Sequence, residues 1–254
     1  MLRLALPLFL ATSAAAQIVP MPATPQMRYV DFSADLDRDG VVVVVGVLGK
    51  LKEGKRERLP QGQLGAAGSV AQVSGTQYFK VPVKSSIRAV KAFGGKVGKL
   101  ELACAIQLAR LPDGSEHRQS RTGNGAQLDE DTLALFVVVP TAKGKAFDLL
   151  HVIPFDAEVD KGPDGGAAFV DAMSDVYAVN RRVHDLRAAL EAIDAAPDAA
   201  ARQRARTTLR DLLEQKVELK VRDDDSLLAQ HCGPLEARAR TRLAATAEGE
   251  GEGR

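Results

Sequence analysis

The first half of the chain alternates apolar and polar residues with the period of a β-strand. In "YVDFSADL" the apolar residues from Val30 to Leu36 share one face and polar residues share the other, which predicts a half-buried strand. The run "VVVVVGVL" is apolar on both faces, so it predicts an interior strand covered on both sides. Further strands are predicted at residues 77–83, 86–93, 97–110, 132–140 and 146–155.

The strands predicted between residues 27 and 155 are joined by short turns. "LPDGSE" at 111–116 is one such turn, because proline presets one backbone angle and glycine permits the left-handed one. Many short strands without a helical period between them are typical of a β-sandwich or a small barrel. We therefore expect an N-terminal antiparallel β-sandwich-like domain over residues 27–160.

After "KGPDGG" at 161–166 the apolar period changes to that of a helix. Apolar residues recur with alternating spacings of three and four, which is the seam of a helix that packs on another helix. Pro197 interrupts this pattern, and further helices are predicted at about 198–221 and 234–246. The fold class we expect is α+β, in which a C-terminal α-helical hairpin, similar to a coiled coil, covers residues 166–247.

The apolar seam of the first predicted helix has two interpretations. It closes on the second helix or on the sheet, or it forms a surface for self-association or for a protein partner. We prefer the first interpretation; the reason to keep the second is the charged outer face formed by Arg181, Arg182, Asp185 and Arg187. The candidate interaction residues of the second interpretation are Val176, Val179, Val183, Leu186, Leu190 and Ile193.

The two ends of the chain have compositions that differ from the rest. Residues 1–16 combine Arg3, a short apolar stretch and small residues before Gln17, which predicts a cleaved signal peptide. Residues 17–26 are a proline-rich leader, and residues 248–254 form a low-complexity tail that we expect to be disordered. No later apolar stretch is long enough for a transmembrane helix. We therefore expect an exported protein, periplasmic or extracellular.

The charge balance limits the classes of partner. The chain has 34 Lys and Arg against 33 Asp and Glu, so it has no general attraction for nucleic acid, and we predict no nucleic-acid partner. Aromatic residues make up 4% and tryptophan is absent, which disfavours base stacking and stacked sugar platforms. Cys104 and Cys232 could pair in an oxidising compartment, but Cys104 shares an apolar strand face, and the sequence leaves the pairing open.

Three alternating aspartates, Asp35, Asp37 and Asp39, form a candidate calcium site. Calcium prefers several oxygen ligands, and "DLDRDG" is similar to the opening half of the calcium loops of EF-hand and dockerin proteins. The resemblance ends there, because Gly46 stands where an EF-hand has its bidentate glutamate. The alternative is a hairpin turn whose carboxylates face solvent, with at most weak calcium binding.

A second candidate site follows the last predicted strand, in "HVIPFDAEVD". His151, Asp156 and Glu158 have the ligand types of a zinc or manganese site and could also serve in acid–base chemistry. However, His151 shares its strand face with apolar residues, and a second histidine at ligand spacing is absent from the sequence around it. The alternative is a hydrogen-bonded core histidine beside acids at a strand exit.

These patterns predict a non-enzymatic binding or structural module of the cell envelope or periplasm. The prediction depends on the export signal, on the heptad seam and on the absence of a complete catalytic motif from the sequence. One alternative is a metal-dependent hydrolase that uses His151 and nearby acids. Another is an adhesion module weakly stabilised by calcium, the one cofactor that we consider for this chain.

Overall fold

The computed structural model describes residues 29–59, 75–95, 97–120, 128–156, 165–221 and 225–248. The predicted signal peptide, the proline-rich leader and residues 249–254 lie outside these ranges. The described residues form eight strands and four helices, which confirms the α+β class. The strands are β1 Val42–Leu48, β2 Lys52–Glu53, β3 Glu57–Arg58, β4 Gln77–Phe93, β5 Lys99–Arg110, β6 Glu116–Ser120, β7 Leu133–Pro140 and β8 Phe147–Pro154. The helices are α1 Gly165–Asp194, α2 Ala199–Glu214, α3 Asp225–His231 and α4 Gly233–Glu248.

The strands belong to one sheet that closes on itself, so the expected division into two packed sheets is not found. Strand β1 pairs antiparallel with β4 and β7, β7 pairs with β8, and β4 pairs with β5. A parallel contact between Leu102 of β5 and Phe147 of β8 completes a ring of five strands. The length of β4 makes the ring possible, because its 17 residues pair with β1 near one end and with β5 along most of their length.

The interior of the ring is an apolar core to which all five strands contribute. Alternate residues of each strand point inward, as the period of two requires. Strand β4 is one continuous strand where the sequence predicted two, because Ser85 faces inward and its hydroxyl donates to the carbonyl oxygen of Gly49 at 2.9 Å. The inward residues include Val44, Leu48, Val81, Val83, Ile87, Leu102, Ile106, Leu108, Phe136, Val138 and Val152.

Strand β1 is covered on both faces, as its valine run predicted. Val44 lies in the ring interior, whereas Val43 and Val45 pack with the first turns of α1. A β-bulge follows Val45, and a Cβ atom on Gly46 would lie 2.7 Å from Cγ2 of Ile87 and 2.8 Å from the carbonyl oxygen of Arg88. Only glycine fits there, because the neighbouring strand approaches too closely for a side chain.

The prediction of a strand over "YVDFSADL" is wrong. This segment contains a 3-10 turn at Ser33–Asp35 and has no strand partner. The carboxylate of Asp31 accepts from the backbone N–H and the hydroxyl of Ser33, at 3.0 and 2.5 Å. The backbone N–H of Phe32 donates to Oδ1 of Asn180 at 2.7 Å. These side-chain acceptors take up N–H groups that a sheet ladder would need.

The helices form two packed regions that share α1. Its first turns, with Phe169, Met173 and Val176, lie against the outer face of β1, β7 and β8. From Val179 onward its apolar residues pack with α2, α3 and α4. The C-terminal part is therefore a group of four helices, and the expected simple hairpin is not confirmed; the sequence did not predict α3. No helix among the described residues is long and apolar enough to cross a membrane.

Candidate functional site

The six apolar residues proposed as an interaction surface are buried within the chain itself. Each is at most 5% exposed. Val176 lies on the side of α1 that packs against the ring, and the other five lie in the cluster formed with α2, α3 and α4. This burial agrees with the interpretation that the seam closes on the rest of the chain. A partner could reach the residues Val176, Val179, Val183, Leu186, Leu190 and Ile193 only if the helices separated.

The aspartate loop and His151, two separate candidates in the sequence, meet in the structure. The Nε2 atom of His151 lies 2.7 Å from Oδ2 of Asp35, and both side chains are 16% exposed. The Nε atom of Arg38 lies 2.7 Å from the other carboxylate oxygen of Asp35. A neutral His151 that carries its proton on Nε2 therefore donates to a carboxylate that already holds an arginine.

A second histidine, His184 of α1, holds the same loop from the other side. Its Nδ1 lies 3.2 Å from the carbonyl oxygen of Ser33, and its Nε2 lies 3.4 Å from Oδ1 of Asp37. Both ring nitrogens thus face acceptors, an arrangement that the two N–H groups of an imidazolium satisfy. The loop is therefore attached to both β8 and α1.

Asp31 anchors the start of this loop. Burial opposes its ionisation, but hydrogen bonds from Ser33 and the charge of Arg187 outweigh burial and lower the pKa of Asp31. The guanidinium of Arg187 also donates to the hydroxyl of Ser33 at 2.6 Å. These contacts stabilise the segment that precedes β1.

The calcium prediction gains no support from the geometry. Asp35 contacts Arg38 and His151, whereas Asp37 lies beside His184. The loop enters β1 from a 3-10 turn, so the hairpin interpretation is also wrong. Gly40 has a φ of +71°, and the N–H of Val41 bonds to the carbonyl oxygen of Arg38 at 3.1 Å, which closes a turn. Within the described ranges, no group of three or more His, Cys, Asp and Glu could hold a metal ion. Asp39 lies exposed in this turn.

The second predicted set, His151, Asp156 and Glu158, is not found as a metal-binding group among the described residues. Glu158 lies outside the described residues, and the acid next to His151 is Asp35 from a distant part of the chain. The Nδ1 atom of His151 is buried and has no hydrogen-bond partner among the described atoms. Because solvent does not reach that nitrogen, a substrate could reach it only after the surrounding side chains move.

The outer face of the sheet carries a group of cations that the sequence analysis missed. Even-numbered residues of β4 point outward there, beside β2 on one side and β5 on the other. Lys84 stands directly opposite Lys52, and Arg88 stands opposite Lys99. We call this surface the cation face; it consists of Lys52, Lys80, Lys84, Arg88 and Lys99.

The cation face was visible in the sequence as a spacing. In "KVPVKSSIR" the cations Lys80, Lys84 and Arg88 recur every four residues, which places them on one strand face about 13 Å apart. Ser86 lies between Lys84 and Arg88, and Glu101 of β5 stands opposite it. Two acids share the face: Glu57 lies opposite Lys80, and Glu101 pairs with Lys99 at 3.0 Å. Cations therefore outnumber carboxylates.

An ion-pair network on the opposite side of the sheet holds β2 and β3 in place. The carboxylate of Glu53 binds Arg56 and Arg118 at 2.8 and 2.9 Å, and that of Glu116 binds Arg56 and Arg110 at 2.7 and 2.6 Å. Burial opposes ionisation of Glu53, but its arginine hydrogen bonds outweigh burial and lower its pKa. The arginine hydrogen bonds also lower the pKa of Glu116. Since Lys52 precedes Glu53, this network fixes one edge of the cation face.

Both cysteines are free, so the disulfide alternative is not realised. Cys104 packs against the ring core, where burial and the charge of Asp148 raise the pKa of its thiol to about 12. Cys232 lies among the helices, where burial, followed by the charge of Glu236, raises its pKa to about 11. Thiols with such pKa values are poor nucleophiles at neutral pH.

The chain matches no protein-family model, no curated protein and no solved structure. Its function is therefore inferred from the residues and their geometry.

Proposed function

We propose that the chain is an exported, non-enzymatic binding module that holds an acidic polysaccharide on its cation face. The observation that carries this proposal is the placement of like charges at two register positions of neighbouring strands, Lys52 opposite Lys84 and Arg88 opposite Lys99. Like charges placed directly opposite each other on a sheet are destabilising. A bound polyanion offsets this repulsion, so the arrangement favours a ligand.

The geometry favours a linear ligand with separated charges. The two cation pairs lie one repeat of four residues apart along β4, about 13 Å, with Ser86 and Glu101 opposite each other between them. A polymer lying along the strand would reach both pairs. Lys80 lies one further repeat along, where Glu57 stands opposite it.

The scarcity of aromatic residues favours an acidic polysaccharide over single-stranded nucleic acid. Nucleic-acid grooves combine cations with several aromatic platforms for the bases. On the described part of this face Tyr78, opposite Ala109, is the one aromatic residue. Stacking against neutral sugars would also need aromatics, but ion pairs to the acidic groups of a polysaccharide do not. The predicted export signal agrees with a ligand outside the cytoplasm.

The architecture offers an analogy that agrees with this location. The second and third strands of the ring in chain order are β4 and β5, which carry most of the cation face. OB-fold proteins are also five-stranded Greek-key barrels, and they bind oligonucleotides or oligosaccharides on the face of their second and third strands. Because one fold serves many functions, the charges rather than the architecture support the proposal.

The test is retention of the protein on immobilised heparin, used as a probe acidic polysaccharide, over a range of salt concentrations. The variant Lys52→Gln/Lys84→Gln/Arg88→Gln should elute at markedly lower salt than the wild type, because ion pairs to a polyanion are screened by salt. The matched control is Arg202→Gln/Arg204→Gln/Arg210→Gln, which removes the same charge from exposed residues of α2. It should elute close to the wild type.

Equal losses in the two variants would show that net charge rather than the cation face governs binding, and would overturn the proposal. Parallel binding assays use poly(dT) and vesicles that contain an anionic lipid. Binding to either of these without binding to heparin would overturn the choice of a polysaccharide.

The runner-up proposal is a metal-dependent hydrolase that uses His151. It is favoured by the contact of His151 with Asp35 at 2.7 Å, since a carboxylate on one ring nitrogen fixes the tautomer of a metal-binding histidine. Metal analysis of the purified protein tests it. Stoichiometric zinc or manganese that is lost in His151→Ala would support the hydrolase, and a metal-free wild type would end it. The third candidate, calcium-stabilised adhesion, requires a rise in melting temperature with calcium that Asp37→Asn removes.

A further inference from the structure

Two lysines from distant parts of the chain meet beside α1, away from the cation face. Lys91 comes from the end of β4, and Lys220 comes from the segment that follows α2. The Nζ atom of Lys91 donates to the hydroxyl of Ser174 at 2.6 Å, and that of Lys220 donates to Oδ1 of Asp171 at 2.7 Å. Ser174 and Asp171 lie on the same stretch of α1, so they hold the two amines side by side.

Backbone hydrogen bonds to α1 fix the position of Lys220. The carboxylate of Asp175 is 1% exposed and accepts from the backbone N–H groups of Lys220 and Val221, both at 2.8 Å. The Nζ atom of Lys91 also lies 5.3 Å from the centroid of the Phe93 ring, which stacks on Tyr177. The half-buried Lys91 thus lies beside an aromatic ring, a hydroxyl and a second ammonium group.

The surroundings of the two lysines shift their pKa values in opposite directions. Burial and the adjacent charge of Lys220 lower the pKa of Lys91, and they outweigh the attraction of Asp171 and Asp175. The ion pair with Asp171 raises the pKa of Lys220. Neighbouring groups whose pKa values are driven apart are the arrangement in which one acts as a base or nucleophile and the other as an acid. A lysine beside another cation is a recognised form of activated amine.

We propose that Lys91 is a reactive amine that forms imines with small aldehydes, with Lys220 as the neighbouring acid. The lone pair of neutral Lys91 attacks the carbonyl carbon, and the carbonyl oxygen takes a proton from the Lys220 ammonium to give a carbinolamine. Loss of the hydroxyl group as water then forms the C=N bond. The nitrogen gives up two protons: one restores the Lys220 ammonium, and the other leaves with the hydroxyl group as water, so the balance is amine plus aldehyde to imine plus water. This inference does not depend on the polysaccharide proposal.

The experiment is competitive reductive methylation of the full chain with a limiting amount of formaldehyde and with cyanoborohydride, near neutral pH. The hydride reduces each imine to a methylamine, and peptide mass spectrometry reports the extent of modification at each lysine. Lys143 is the internal reference, since it lies exposed in the turn between β7 and β8, away from the cation face. Lys91 should be modified several times faster than Lys143, because a lower pKa leaves more of the amine neutral.

Two variants separate activation from simple accessibility. Lys220→Met removes the adjacent charge and should bring the rate at Lys91 down toward that at Lys143, whereas Lys220→Arg keeps the charge and should preserve most of the difference. The Lys220 side chain is 51% exposed, so both variants should fold. Modification of Lys91 no faster than Lys143 in the wild type would overturn the proposal without any variant. An unchanged ratio in Lys220→Met would overturn the role of Lys220.

Discussion

The side-chain amide of Asn180 joins the N-terminal segment to α1, and its oxygen and both of its N–H groups form hydrogen bonds. Its Oδ1 accepts from the backbone N–H of Phe32 at 2.7 Å, and its Nδ2 donates to the carbonyl oxygens of Val30 and Val176 at 3.1 and 2.9 Å. The side chain is fully buried, so water cannot replace these bonds. Asn180 is therefore one of the residues that hold the segment before β1 in place.

Asn180→Ala should lower the free energy of unfolding by roughly 2–4 kcal/mol. The cause is that the buried N–H of Phe32 and the carbonyl of Val30 lose their partner, and each unsatisfied group costs about 1–3 kcal/mol. Urea denaturation measures the loss. Arg181→Ala, one residue away but with a 52% exposed side chain, should change stability by less than about 0.5 kcal/mol. Equal effects in the two variants would contradict this role of Asn180.

The stability contributed by Glu53 should depend on pH in a defined direction. The pKa of Glu53 is lowered in the folded chain, so its contribution is present above its unfolded pKa and is lost as the pH falls through the folded value. Glu53→Gln should therefore cost about 1 kcal/mol at pH 7, as expected for a partly exposed pair of arginine contacts, and almost nothing well below pH 4. Melting curves of both proteins across this range provide the measurement. A constant difference at all pH values would contradict the ion-pair explanation.

At the scale of elements, β1 has no solvent face. Val44 is fully buried in the ring and Val45 is fully buried against α1. A strand of an ordinary half-exposed sheet tolerates polar residues on one face, and β1 should tolerate them on neither. Val44→Thr and Val45→Thr should each lower stability by about 1–3 kcal/mol, because each buries a hydroxyl without changing the shape of the side chain.

The control for these two variants is Val90→Thr. Val90 lies on β4 and is 55% exposed, so its stability should change by less than about 0.5 kcal/mol. Chemical denaturation of the three variants makes the comparison. Tolerance of threonine at Val45 but not at Val44 would show that α1 does not cover the outer face in solution.

The repulsion between lysines on the cation face predicts an effect on stability as well as on binding. Lys84→Gln removes the repulsion with Lys52 and should raise the free energy of unfolding by a few tenths of a kcal/mol at low salt. The gain should shrink as salt is added, because salt screens the repulsion between exposed charges. Thermal melts at two salt concentrations test this. A loss of stability at low salt would mean that Lys84 serves the fold rather than a ligand.

The sequence correctly predicted those elements whose pattern of apolar residues follows from local packing rather than from a contact with a distant part of the chain. Strands β5, β7 and β8 lie within two residues of their predicted bounds, and α1 begins one residue before the predicted helical region. The segment before β1 misled the prediction because Phe32 and Leu36 pack as a strand face would, yet Asn180, 148 residues away, supplies the hydrogen bond. Ring closure through Leu102 and Phe147 is equally long-range, so periodicity could not reveal it.

The contacts that form the candidate sites are also long-range, so local sequence patterns could not reveal them. The sequence identified Asp35 and His151 separately, but nothing in the local spacing could show that they lie 2.7 Å apart. The meeting of Lys91 with Lys220 depends likewise on how β4 and the segment after α2 reach α1. The spacing of Lys80, Lys84 and Arg88 was local and could have been used.

At the scale of the whole molecule, α1 connects two apolar clusters. Its first turns belong to the cluster with the ring, and its later turns belong to the cluster with α2, α3 and α4. Because both clusters include residues of one continuous helix, unfolding of either cluster also destabilises the other. We therefore expect the ring and the helices to unfold as one cooperative unit.

Leu186→Ala tests this coupling. Leu186 is fully buried in the helical cluster, so the variant should lose about 2–5 kcal/mol. Hydrogen exchange by mass spectrometry under conditions of global unfolding should then accelerate equally in α2 and in β7. Faster exchange confined to the helices would show that the two regions unfold independently.

The shared helix also has an evolutionary consequence. Substitutions at Phe169, Met173 and Val176 are constrained by the strands, whereas those from Val179 to Ile193 are constrained by the other helices. In an alignment of homologous sequences, pairwise covariation along α1 should therefore change its partners between Val176 and Val179, within a single turn of one unbroken helix.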